Sequence, residues 1–168
     1  MNDALDPFDT LTADLATRLR GAAGFAAGTP PVPVLTERLS DLTHQLQLTL
    51  TSRSGLALVV GTPEFGLGAQ PEIIQARVAV RIFENVLQCQ SAAGAQLTAL
   101  RAAWLAYFAL LRFAPDGWSG LLPLPGLPPV RRLDADEAGL PTTTSLPHLL
   151  TYEVVLGTWA QFTLSSET

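Results

Sequence analysis

A chain of 168 residues with 48% apolar and only 15% charged side chains can build one domain with a sizeable core, but carries little charge to coat it. A net charge of -5 argues against a surface made for phosphate backbones, and a single cysteine, Cys89, excludes an intramolecular disulfide framework and points to a reducing compartment. So few charges direct attention to apolar surface buried between subunits. All ten basic residues are Arg, a pattern expected in part from a GC-rich coding sequence and also suited to protein interfaces. The first residues, with Asp3, Asp6, Asp9 and Asp14 and no basic, apolar leader, do not read as a signal peptide. The longest apolar segment, Leu97 to Phe113, contains Arg101 and Arg112, so no membrane partner is expected.

In chain order, the first element is a helix. Asp6 suits the cap and Pro7 the first turn, and Phe8, Leu11, Leu15 and Leu19 recur at helical spacing until Gly21 or Gly24. Thr29 to Val34 (TPPVPV) is an extended connector with a short edge strand over Val32 to Val34. Leu35, Leu39, Leu42, Leu46 and Leu50 predict a second helix ended by Ser54-Gly55, although Gln45 to Thr51 also alternates as a strand would.

The centre of the chain is Gly55 to Cys89. Leu56 to Val60 is an unbroken apolar run, and Ile74 to Phe83 alternates, with Ile74, Ala76, Val78, Val80 and Ile82 on one side and Gln75, Arg77 and Arg81 on the other. Both read as strands. Gly61 to Pro71 between them is long for a hairpin loop and is expected to project. Ser91 is a candidate cap for a third helix over about Gly94 to Ala114. That helix has a large-residue face (Leu97, Leu100, Trp104, Tyr107, Leu111) and a small-residue face (Ala102, Ala106, Ala109), as a helix buried on more than one side would.

Residues 115–129 contain five prolines and three glycines and predict an irregular loop with an exposed Trp118. Val130 to Leu133 suits a strand, Asp134 to Gly139 an acidic turn, and Leu149 to Phe162 a last strand. In it Leu150, Tyr152, Val154 and Leu156 face inward, Thr151 and Glu153 face outward, and Gly157 suits a bulge. The expectation is a single α+β domain over residues 1–168 with frayed ends at about 1–5 and 164–168. It has a mostly antiparallel sheet of four to five strands, with three helices packed mainly on one face.

Chemistry is hard to find. His44, His148 and Cys89 have no paired ligand spacing, and Asp134, Asp136 and Glu137 lack a calcium loop. No G-x-S-x-G elbow frames Ser54 or Ser119, and Gly66-Leu67-Gly68 does not open a helix as a phosphate loop would. Glu84 and Glu153 are a pair of strand carboxylates with no spacing that marks sugar chemistry. Arg131-Arg132 and Arg77/Arg81 are small basic clusters, read more simply as ion-pair partners than as a nucleic-acid site. No enzyme, metal or cofactor is expected.

A set of short motifs in order carries more. Val32-Pro33-Val34 before a leucine-spaced helix, Gly55-Leu56 into Leu58-Val59-Val60, and Thr62-Pro63 come first. Arg77 to Phe83 ending in Glu84-Asn85, Trp118 in a Pro/Gly loop, and the strand Leu150-Thr151-Tyr152-Glu153-Val154 follow. Over roughly residues 10 to 162 this resembles the tail terminator, or tail-completion, proteins of long-tailed phages; Val86 to Gly94 departs from that pattern. The resemblance implies a virion protein of a small α+β fold that forms a hexameric ring. Such a ring ends the tail tube and joins it to the head connector, assembled in the bacterial host cytoplasm. The implied partners are its own copies, the tail tube protein and the connector or neck protein, with DNA passing through the lumen without specific binding.

Side-chain direction and composition suggest the contacts: Arg77 and Arg81 on the outward sheet face, Arg101 and Arg112 on the third helix, and the two loops with Phe65 and Trp118. Two alternatives stay open. One is another neck or head-tail joining protein of the same particle; the other is a non-catalytic binding module using the Pro-rich loop.

Overall fold

The computed structural model describes residues 7–27, 31–52, 54–70, 72–91, 97–134, 137–138 and 148–161. Two 13-residue strands, β4 (Ile73–Asn85) and β7 (Leu149–Gln161), form the spine. They pair antiparallel from Ile73↔Gln161 to Asn85↔Leu149 without a slip in register. The bulge expected at Gly157 is therefore absent. Gly157 instead allows close approach, since a Cβ there would lie 2.5 Å from Leu124 Cδ2.

Each long strand is flanked on its outer side by two short ones. Beside β4, β2 (Leu56–Val60) pairs with Val80 to Glu84, and β3 (Glu64–Leu67) pairs with Ile74 to Arg77. Beside β7 lie β5 (Leu122–Pro123) and β6 (Val130–Leu133). With β1 (Val34–Thr36), which pairs parallel to β2, this makes a seven-stranded sheet rather than one of four or five strands. The segment expected to project as a loop instead folds back as β3. Gly61 N–H donates to Ala79 O at 2.8 Å, and Gly68 N–H to Ile73 O at 2.8 Å, fixing both of its ends.

Among the described residues five helices accompany the sheet, where three were expected: α1 (Pro7–Gly21), α2 (Ala23–Ala26), α3 (Leu42–Ser52), α4 (Val86–Ser91) and α5 (Ala99–Leu110). The edge strand sits two residues later than expected, and α3 begins at Leu42 rather than Leu35. Strand pairing wins there: Val34 and Leu35 stand opposite Leu58 and Val59, and Glu37 N–H donates to Val60 O at 3.0 Å. The segment β1–α3–β2 is thus a crossover between parallel strands, for which a helix is the usual connection.

The helices divide between the two faces. Leu11, Leu15 and Leu19 of α1, Phe25 of α2 and Ala99, Ala102, Ala106 and Leu110 of α5 pack on Val78, Val80, Ile82, Val154 and Leu156. On the opposite face Leu46 and Leu50 of α3 cover Ala57, Val59 and Phe83, with Ala138 from the acidic turn completing the cluster. Helices thus lie mainly on one face, as expected, with α3 as the exception, and the cause of the exception lies in β2. Its unbroken apolar run is buried at every residue, so both of its faces need cover.

The cap of α5 is Thr98, whose side chain accepts from Arg101 N–H, and not Ser91, which ends α4. Glu84 adds to it: its buried carboxylate accepts Ala99 N–H at 2.6 Å, a negative group at the positive end of the helix. The helix ends at Leu110, short of Pro115, because Arg112 adopts φ 63° and its N–H turns to Leu121 O at 2.8 Å. Pro7 opens α1 as expected, while the proposed cap Asp6 and both frayed ends lie outside the described residues.

Candidate interaction surfaces

The sheet face that carries α3 changes character along β4. Phe83 lies buried beneath α3 at one end. Next comes a layer of ion pairs. Arg81 Nη1 lies 3.0 Å from Glu37 Oε1, and Arg81 Nε lies 3.5 Å from Glu153 Oε1, close enough to attract but without hydrogen-bond geometry. Arg131 donates to Glu153 Oε2 from Nε (2.9 Å) and stands 2.8 Å from it through Nη2, with Nη1 3.9 Å from Glu137 Oε1. Glu37 also accepts Thr62 N–H at 2.8 Å, pinning the turn between β2 and β3. Register explains the cluster, since Arg81, Glu153 and Arg131 are direct neighbours across β4, β7 and β6.

Beyond the ion pairs the face opens into a groove of about 570 Å³. Gln75, Arg77, Gly157 and Trp159 form its floor. Glu64 and Gly66 of β3 form one wall, and Leu122, Leu124 and Pro125 the other. Arg77 on the floor pairs with Glu64 at 3.0 Å. The missing side chain at Gly157 lets Leu124 fold over the strand and shape the second wall.

A second surface lies on the other side of the sheet. The small residues of α5 face the core, so its large residues face outward: Leu100, Trp104 and Phe108 are 46%, 41% and 63% exposed. They follow one another at four-residue steps, one above the next on a single stripe. Their rings touch: Trp104 lies 6.0 Å from Phe108 and 5.7 Å from Tyr107, centroid to centroid.

No family model matches this chain, and no curated protein matches it. Among solved structures, a chain described as "Virion of native gene transfer agent (GTA) particle" shares the fold with a TM-score of 0.53 at 17% identity. The match covers 90% of this chain and 95% of that one. The likeness is one of fold.

Within that fold the six residues singled out from the sequence have separate settings. Arg77 and Arg81 do share the outward face, but both are engaged in ion pairs of their own chain. Arg101 is exposed on α5 beside the stripe; Arg112 is exposed but follows the helix rather than belonging to it. Trp118 is not exposed. At 6% exposure it stacks with Phe65 (5.9 Å) and meets Phe8 edge-on (5.9 Å), so three separate segments close a cluster around a loop that composition alone made look solvated. Phe65 remains 42% exposed at the edge of that cluster, 4.9 Å from Phe8.

Glu84 and Glu153 point to opposite faces of the sheet, so they form no catalytic pair. Among the described residues no three His, Cys, Asp or Glu side chains gather as a metal site, and no helix is long and apolar enough to cross a membrane. Sequence reasoning missed Phe108 and the carboxylates Glu37 and Glu64, and took Glu137 for part of an acidic turn rather than a partner of Arg131. Only Phe108 left a signal, standing four residues after Trp104.

Proposed function

We propose that this chain is a structural virion protein of a long-tailed phage or phage-like particle. In this reading it forms a ring, most simply a hexamer, that ends the tail tube and joins it to the head connector. The observation that carries the reading is the fold shared with a chain of a gene transfer agent virion along nearly the whole of both chains. The sequence resemblance to tail terminators, made on independent grounds, supports the same class. So does the surface, which exposes large apolar side chains, Leu67, Phe108 and Trp159 among them, and has little charge to solvate them. The work is done by surface complementarity, without covalent chemistry or a cofactor. The acidic chain lets DNA through the lumen without holding it, since like charges repel.

The test is removal of the chain from the particle that encodes it. The expected result is tail tubes of unregulated length that fail to join heads, restored when the purified protein is added. Normal particles without it would refute the reading. Tubes of correct length that still fail to join heads would favour a neck or joining protein of the same particle instead.

A further inference from the structure

We infer that the aromatic stripe of α5 docks into the groove between β3 and β5 of a second copy of this chain, head to tail. The inference rests on the reading that the chain assembles with copies of itself. The stripe is convex; Phe108 stands largely in water, and Leu100 and Trp104 are partly exposed beside it. The groove is concave, about 570 Å³, walled by Leu122, Leu124 and Pro125 and floored in part by Trp159.

The two surfaces lie on opposite sides of the sheet, so one copy cannot satisfy both. Two unlike patches that match each other generate a repeating contact, which gives a ring when the rotation closes. Charge points the same way. Residues 97–113 contain Arg101 and Arg112 and no carboxylate, whereas Glu72 is exposed in the turn leading into β4, the strand that floors the groove. Arg77 on the floor is already neutralised by Glu64, and Glu72 makes no ion pair among the described residues. A two-fold pairing of α5 on itself would instead set two carboxylate-free, Arg-bearing segments together and stop at a dimer.

Cysteine cross-linking separates these arrangements. In a Cys89→Ala background, Phe108→Cys and Leu122→Cys in the same chain should give a disulfide ladder of dimers, trimers and larger species, while each single variant stays unlinked. Dimers from Phe108→Cys alone would overturn the inference in favour of helix self-pairing. An unlinked double variant, with the unsubstituted protein still oligomeric by light scattering, would overturn this contact and leave the assembly role standing. An unsubstituted protein that is monomeric alone and beside tail tubes would overturn both. As a check without cysteines, Phe108→Glu should weaken self-association at least tenfold with an unchanged circular dichroism spectrum; unchanged association would also overturn the inference.

Discussion

Glu153 holds two guanidinium groups from neighbouring strands, Arg81 on one side and Arg131 on the other, with only 5% of its own side chain exposed. Removing it leaves two half-exposed cations facing each other without the carboxylate between them. Glu153→Ala should therefore cost about 1–3 kcal/mol, read as a melting temperature lower by roughly 3–9 °C. A change below 1 °C would show that the pairs contribute nothing. The two arginine positions make a contrast. Arg81→Glu puts a third carboxylate beside Glu37 and Glu153 and should destabilise the fold itself. Arg101→Glu, exposed and outside any ion pair among the described residues, should change stability by no more than about 0.5 kcal/mol and act on assembly alone. Equal melting temperatures for the two variants would contradict this assignment.

At the scale of elements, α5 depends on what meets its first turn. Thr98 and Glu84 each accept a backbone N–H there, and Glu84 reaches it from the end of β4. Thr98→Ala should cost about 1 kcal/mol, and Glu84→Ala more, about 1–3 kcal/mol, because it also leaves Ala99 N–H buried without a partner. Hydrogen exchange should localise the loss to the first turn of α5, and loss spread evenly over the sheet would count against the capping role. The same elements mark what the sequence made legible. The alternation of β4 and the spacing of α1 were readable because each buries one continuous stripe. β3 was not, because Glu64-Phe65-Gly66-Leu67 is too short and glycine-bearing to show a period, and its pairing depends on the distant β4. β5 is two residues in a proline-rich loop, and Trp118 is buried only because Phe8 and Phe65 arrive from elsewhere. The outer face was half legible: the directions of Arg77, Arg81 and Glu153 followed from alternation, but Glu37 and Glu64 come from segments whose placement no local pattern fixes.

On the scale of the whole molecule, a sheet with α1 and α5 on one face and α3 on part of the other leaves apolar surface uncovered on both sides, the stripe and the groove among it. Their placement on opposite sides is what a repeating, non-self-complementary contact requires. The central claim is that this chain acts by assembling with its own copies and with its particle. Light scattering across a concentration series, alone and with purified tail tubes, tests it most directly. The account predicts a mass at a fixed multiple of the 17.9 kDa chain, reached alone or on the tube end, and lost in Phe108→Glu. A mass of 17.9 kDa at every concentration, with no binding to tubes, would contradict it.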